Sequence, residues 1–188
     1  MDLNVLGVDT ETGGLKTGVH SLLQVALVAY KDGEVVDTLD LFVRDEEYVV
    51  TAKAMEINGL QLGQVYDNGV RPDVAVGAIT DFSKRNFGGE LPILLGHNVG
   101  FDKGFLNNLF ESQGEDMDEF ISHRSIDTMS IIWVLHDLGL IPKEACSSSG
   151  AFKYFGIDRK RAHDAFDDIV ATIESYEKLK LLITISSM

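Results

Sequence analysis

Three segments of this 188-residue chain carry side chains suited to metal-assisted phosphodiester hydrolysis. Asp9 and Glu11 follow an apolar run, Asp102 lies in a second segment, and the third spans His163–Asp168. Carboxylate oxygens are ligands that Mg²⁺ and Mn²⁺ prefer, and histidine exchanges protons near neutral pH. Each segment alone has an ordinary structural explanation, but their order and combination predict a two-metal phosphodiesterase site.

Asp9 and Glu11 are expected at the end of a first strand, which the apolar run Leu3–Asp9 predicts. Residues two apart on a strand project from the same face, a geometry that suits two ligands for one cation. Gly13 and Gly14 then permit a tight turn that a substrate backbone can approach closely. The pattern therefore places metal ligands beside an open turn.

Asp102 is expected near the start of a helix that follows a short apolar strand, Leu91–Leu95. A carboxylate at that position is ordinarily explained by its favourable interaction with the helix dipole. However, the carboxyl ends of neighbouring parallel strands meet at one edge of a sheet, where α/β proteins commonly place their sites. We therefore expect Asp102 to face Asp9.

The last helix is predicted to run from Ala162 to about Leu182. Its apolar stripe leaves both Asp167 and Asp168 off the buried face, so helical spacing does not choose between them as ligand. His163 lies five residues before Asp168, which is more than one helical turn. A shared site therefore requires His163 at or before the start of the helix.

The elements that must position these residues alternate between strands and helices. Further strands are predicted at 21–30, 35–43 and 125–127, further helices at 52–57, 72–85, around Phe101–Leu109 and at 129–138, and a loop at 142–150. A β-hairpin start followed by alternating helices and strands predicts a mixed sheet covered by helices. We find no internal repeat or interdomain linker.

Composition limits the class of protein. A 45% hydrophobic content at this length is expected of one domain covering residues 1–188. No apolar stretch is long enough to span a bilayer, and the single Cys146 fits a reducing compartment, so we expect a cytoplasmic protein that contacts no membrane. The net charge of −14 argues against a broad basic face for long nucleic acid, but a metal site brings its own positive charge.

These motifs together resemble the DEDDh group of DnaQ-like 3′-to-5′ exonucleases, which includes proofreading subunits, RNase T-like enzymes and oligoribonucleases. The first motif of the family resembles Val8–Leu15 of this chain, the second resembles Gly96–Asp102, and the third resembles His163 with Asp168. Two intervening stretches, Ala54–Leu60 and Ile126–Thr128, also resemble family landmarks. The resemblance covers nearly the whole chain.

The resemblance implies an RNase H-like α/β fold, a mixed β-sheet flanked by α-helices. It also implies an exonuclease that releases nucleoside 5′-monophosphates from single-stranded 3′ ends of DNA or RNA, with DNA favoured. In this family pattern Asp9, Glu11, Asp102 and Asp168 hold two Mg²⁺ or Mn²⁺ ions, and His163 is the general base. The resemblance, and not the helical spacing, selects Asp168 over its neighbour.

Expected substrate contacts are less specific than the metal ligands. Many family members have Thr-Thr-Gly after the glutamate, whereas here one hydroxyl is missing and Thr12 remains. Leu15 is a candidate apolar wedge against the terminal base, and Asn98 either contacts substrate or fixes the loop beside Asp102. Arg159 and Arg161 belong to the densest basic run and are candidates for phosphate contacts.

Several alternatives stay open at the level of sequence. Tyr154 and Asp158 match the spacing of the tyrosine-type branch of the family, but Gly156 is expected to end a helix between them. The weak basic character also suits an oligoribonuclease-like enzyme on short RNA. A catalytically silent module for nucleic-acid binding or partner docking is a further alternative. The partners considered are a polymerase and a second copy of the chain.

Overall fold

A five-stranded sheet crosses the middle of the protein, whose computed structural model describes residues 3–159 and 164–186. Its strands are β1 (Val5–Thr12), β2 (Leu22–Lys31), β3 (Glu34–Phe42), β4 (Ile93–Gly96) and β5 (Ser125–Asp127). The order across the sheet is β3-β2-β1-β4-β5, with the first three strands antiparallel and β4 and β5 parallel to β1. The predicted mixed sheet is confirmed.

Strand β1 continues past its predicted end. The apolar run suggested a strand that stops at Asp9, but β1 stays paired with β2 as far as Thr12, which lies opposite Leu22. Pairing with a long buried neighbour extends the strand through polar residues that an apolar pattern does not include. Asp9 and Glu11 are therefore held inside a hydrogen-bonded strand, which fixes their direction more firmly than a loop would.

The described helices cover both faces of this sheet. They are α1 (Ala52–Asn58), α2 (Leu62–Asn68), α3 (Pro72–Phe87), α4 (Val99–Ser112), α5 (Thr128–Asp137), α6 (Ser148–Phe155) and α7 (Ala165–Ser186), with 3₁₀ turns at Met117–Glu119 and Lys143–Ala145. The predicted helices in the regions of α1, α3, α4, α5 and α7 are confirmed. Among the described residues, no helix combines the length and apolar character that crossing a membrane requires.

The predicted loop at 142–150 is wrong in part, because it contains a 3₁₀ turn and the start of α6. Ser147 begins this helix, since its side chain accepts a hydrogen bond from the backbone N–H of Gly150. Gly156 ends it with a φ of 68°, as the sequence predicted. The last helix was predicted from Ala162, whereas α7 begins at Ala165; residues 160–163 lie outside the described part of the chain.

Strand β1 packs closely against α7. Gly7 makes this possible, because a Cβ atom there would lie 3.0 Å from side-chain carbons of both Ile169 and Ile173. The opposite face of β1 contributes Leu6 and Val8 to the larger core, which includes residues of α3 and α4. The close approach of α7 brings its first turn toward the end of β1.

Candidate active site

Asp9 and Glu11 project from the face of β1 that packs against α7. They alternate with Thr10 and Thr12, which are 7% and 8% exposed on the other face. Burial of a carboxylate without a compensating cation disfavours its charged form. The predicted placement of both acids on one face of a strand agrees with this structure.

Asp102 reaches the same end of the sheet from the first turn of α4. It is 4% exposed, and its Oδ1 accepts a 2.7 Å hydrogen bond from Oγ1 of Thr10. Asn98 precedes the helix in the left-handed region, with a φ of 61°, and its backbone N–H donates to Oδ1 of Asp127 over 2.7 Å. The backbone of Asn98 and the side chain of Asp127 therefore fix the turn that delivers Asp102, whereas the role of the Asn98 side chain stays a prediction.

Asp168 lies in the first turn of α7. Its backbone N–H donates to the carbonyl of Asp164 over 2.9 Å, and its Oδ1 accepts a 2.8 Å hydrogen bond from Nη1 of Arg159. The charge of Asp168 raises the pKa of both Asp9 and Glu11. The fold thus brings together four of the five residues that the sequence proposed for the chemistry.

Burial raises the pKa of three of these carboxyl groups, and charges of neighbouring site acids add to the shift of two of them. Burial, followed by the charges of Asp102, Glu11 and Asp168, holds the pKa of Asp9 well above its usual 3.8. Burial, followed by Asp168 and Asp102, raises the pKa of Glu11 from 4.5 to about 8. Burial also raises the pKa of Asp102 to about 7, although the hydrogen bond from Thr10 opposes that shift. The site therefore binds positive charge favourably, either as protons or as cations.

The donor set fits divalent cations. Oxygen ligands from carboxylates are those that Mg²⁺ and Mn²⁺ prefer, and cations would offset the burial and the repulsion that raise the pKa values of Asp9 and Glu11. Within residues 3–159 and 164–186, however, no three acidic, histidine or cysteine side chains already stand in a metal-binding arrangement. Asp168 and Asp102 are instead engaged by Arg159 and Thr10. A cation would therefore compete with Arg159 and Thr10 for the Oδ1 atoms, while the Oδ2 atoms are not occupied by these two contacts.

Two predicted functional residues, His163 and Arg161, lie outside the described residues. Arg159 is described, and its guanidinium is engaged by Asp168 in the acidic site. The ion pair occupies Nη1, so a phosphate contact by Arg159 needs either its remaining N–H donors or the opening of this pair. Tyr154, the alternative to His163, is 46% exposed on α6 and packs edge-on against the ring of Phe155.

A cleft of about 490 Å³ opens beside Glu11. Leu15 lies on its wall with 85% of its surface exposed, as an apolar contact for a ligand requires. Thr12 also lines it, but its hydroxyl donates to the carbonyl of Gly14 over 2.9 Å. The cleft is lined in full by residues 10–12, 14–16, 20, 51, 53, 54, 57, 58 and 101.

Sequence reasoning missed part of this wall. The sequence did not single out His20, which lines the cleft and whose Nδ1 accepts a hydrogen bond from the backbone N–H of Lys16 over 3.0 Å. Asn58 is buried at the end of α1 and donates from Nδ2 to the carbonyl of Thr12 over 3.3 Å. The landmark Ala54–Leu60 contains Asn58 and was the available signal, whereas nothing in the sequence placed His20.

Comparison with known proteins gives a consistent family. The model of the family RNase_T, described as exonuclease, matches residues 6–176. The PolC-type DNA polymerase III of Bacillus subtilis is 31% identical over 180 residues, which is 93% of this chain and 11% of that protein. The corresponding polymerase of Latilactobacillus sakei is 34% identical over 128 residues, or 68% of this chain and 8% of that protein. The chain thus spans about a tenth of these relatives.

Solved structures share the fold. E. coli Exonuclease I in complex with a dT13 oligonucleotide superposes with a TM-score of 0.82 at 20% identity, covering 95% of this chain and 41% of that one. A zinc-bound form of the same enzyme with single-stranded DNA gives a TM-score of 0.83 at 20% identity, covering 96% and 41%. The sheet and its helices therefore match the RNase H-like exonuclease fold that the sequence predicted.

Proposed function

This chain belongs to the RNase_T exonuclease family, and from that premise we propose that it is a 3′-to-5′ exonuclease acting on single-stranded nucleic acid, with DNA favoured. The products are nucleoside 5′-monophosphates. The observation that carries this proposal is the grouping of Asp9, Glu11, Asp102 and Asp168, whose mutual repulsion and burial raise the pKa of Asp9 and Glu11. Such strongly perturbed acids are typical of functional sites.

The family generally uses divalent metal ions, and we propose that these four carboxylates hold two Mg²⁺ or Mn²⁺ ions. Bound ions would supply Lewis-acid stabilisation of the charge that develops on the phosphate oxygens. A set of oxygen ligands alone favours Mg²⁺ or Mn²⁺ over zinc. The role of the protein is to hold the carboxylates on rigid elements, which are β1, α4 and α7.

The cleft beside Glu11 is the proposed site of the 3′-terminal nucleotide. Its wall includes the exposed side chains of Leu15 and Ile57, which offer apolar surface to a base. Glu11 and Thr12 line the same cleft, so a base held there would leave its phosphate beside the carboxylates. This arrangement supports the placement of the terminal nucleotide in the cleft.

His163 is the proposed general base, and its replacement by alanine gives a distinct prediction. We expect Mn²⁺ affinity to stay within about threefold of the unmodified protein while kcat falls about 10²- to 10⁴-fold, as for loss of a proton-transfer group. Titration calorimetry measures the first quantity and single-turnover hydrolysis the second. Tyr154→Phe is the matched variant for the alternative branch: if it loses as much activity as His163→Ala, the tyrosine assignment is correct instead.

The activity is tested with 5′-labelled single- and double-stranded DNA and RNA in Mg²⁺ or Mn²⁺. We expect a ladder that shortens from the 3′ end of single strands, with complete loss on chelation and in Asp9→Ala. Asp67→Ala, which removes an exposed acid of α2, is the control and should keep full activity. Internal cleavage, or activity that survives the chelator, would overturn the proposal.

The same assay decides two finer points. The net charge of −14 favours short substrates, so faster cleavage of RNA dinucleotides than of longer strands would assign the oligoribonuclease-like role. No cleavage of any substrate would instead indicate a silent binding module. Because the relatives above are polymerases, we also propose that residues 1–188 form one exonuclease domain working with a polymerase, and co-purification with one tests this.

A further inference from the structure

Arg159 brings a positive charge into the acidic site. Its Nη1 donates to Oδ1 of Asp168 over 2.8 Å, and the two side chains are only 15% and 18% exposed. The charge of Arg159 also reaches Asp9, whose pKa it lowers against the upward effect of the neighbouring acids. A desolvated arginine therefore compensates part of the charge at the carboxylates that are proposed to hold metal ions.

Helix α6 anchors this arginine independently of the carboxylates. The guanidinium carbon lies 5.1 Å from the centre of the Phe152 ring, within the range of a cation–π contact. Nη2 also donates to Oγ of Ser149 over 3.3 Å. These contacts hold the guanidinium beside the site, so loss of Asp168 as a partner does not require the whole side chain to leave.

We propose that Arg159 is a positioning residue that stands in for a metal ion, holding Asp168 in the metal-free protein and releasing its Oδ1 when divalent cations bind. The inference rests on the proposed metal site. A carboxylate oxygen engaged by a guanidinium is less available to a cation, and the positive charge of arginine repels an incoming one. The oxygen is released when Asp168 exchanges its guanidinium partner for a cation. The freed guanidinium becomes available for the phosphate contact that the sequence predicted for Arg159.

The test compares Arg159→Gln with the unmodified protein by Mn²⁺ titration calorimetry and by thermal unfolding in chelator and in Mn²⁺. We expect Arg159→Gln to bind Mn²⁺ about 10-fold more tightly, because a competing positive charge is gone. Its Tm in chelator should fall, and the rise in Tm on adding Mn²⁺ should exceed that of the unmodified protein. Arg159→Lys keeps the charge, so its Mn²⁺ affinity and its rise in Tm on adding Mn²⁺ should lie between those of Arg159→Gln and the unmodified protein.

Arg71→Gln provides a matched control, because it breaks an exposed ion pair with Asp73 whose side chains are 67% and 51% exposed. It should change neither Mn²⁺ affinity nor the metal-induced rise in Tm. Unchanged or weaker Mn²⁺ binding by Arg159→Gln would overturn the inference and leave Arg159 as a packing partner of Phe152. If Arg159→Gln is unfolded in chelator, folding on addition of Mn²⁺ supports the inference and failure to fold overturns it. Absence of Mn²⁺ binding by the unmodified protein would instead overturn the proposed metal site itself.

Discussion

Replacing Glu11 with glutamine is expected to lower kcat at least about 1,000-fold while making the metal-free protein more stable at pH 8.5. The loss of activity follows from removing one proposed ligand of a site in which metal ions supply several kcal/mol of transition-state stabilisation. The gain in stability follows because the folded state disfavours the charge of Glu11, whose pKa is raised to about 8 by burial and by Asp168 and Asp102. Glutamine keeps the shape and removes that charge.

The two effects have opposite signs, which separates loss of function from damage to the fold. We expect the Tm of the metal-free Glu11→Gln variant to rise by about 3–10 °C at pH 8.5, and Mn²⁺ to raise it less than in the unmodified protein. Glu56→Gln is the control, because Glu56 is 71% exposed and pairs with Lys53 on the surface of α1. Activity of Glu11→Gln within about tenfold of the unmodified protein would contradict the assignment of Glu11 as a ligand.

Periodicity predicted the part of the site that depends on one element at a time. Alternation along β1 correctly placed Asp9 and Glu11 on one face, because side-chain direction in a strand is fixed by the backbone. The position of Asp102 followed from the rule that parallel strands gather their carboxyl ends. Both predictions needed only local geometry and the order of strands.

The choice between Asp167 and Asp168 needed tertiary structure. Both aspartates lie off the apolar stripe of α7. Only the packing of α7 against Gly7 determines which part of the first turn of this helix approaches β1. In the structure the charge of Asp168 raises the pKa of Asp9 and Glu11, which supports the residue that the family resemblance selected. The assignment of ligands itself stays a prediction for the experiments above.

Contacts made by long or flexible side chains were beyond the sequence. The ion pair of Arg159 with Asp168 spans nine residues and depends on how α6 meets α7, so the basic run containing Arg159 was interpreted only as a phosphate-binding segment. Helix α6 itself was predicted as loop over its first residues, because serine and glycine are typical of loops. Burial of Ala151 and Phe152 overrides that local preference.

Without metal ions, the protein is expected to lose thermal stability as the pH rises from 5 to 8.5. The pKa of Glu11 rises on folding from 4.5 to about 8, and that of Asp102 from 3.8 to about 7. Protonation of these two groups therefore contributes its full stabilisation of the folded state below the pKa values that they have in the unfolded chain. This contribution is lost as the pH rises through the pKa values that they have in the folded protein. Asp37 and Asp127 have lowered pKa values and act in the opposite sense only in more acidic solution. Burial lowers the pKa of His97, which opposes the loss only up to its usual value of 6.5.

Divalent cations should reverse this loss of stability, because they compensate the negative charge of the same carboxylates once these are deprotonated. We expect Tm in chelator to fall by about 5 °C or more between pH 5 and pH 8.5, and saturating Mg²⁺ or Mn²⁺ to restore it most strongly at the upper end. Differential scanning calorimetry across this range measures both curves. In Glu11→Gln the chelator curve should be flatter, whereas in Glu56→Gln it should match the unmodified protein. A Tm in chelator that is constant or rises with pH would contradict the raised pKa values and would remove the electrostatic reason for cations to bind between β1, α4 and α7.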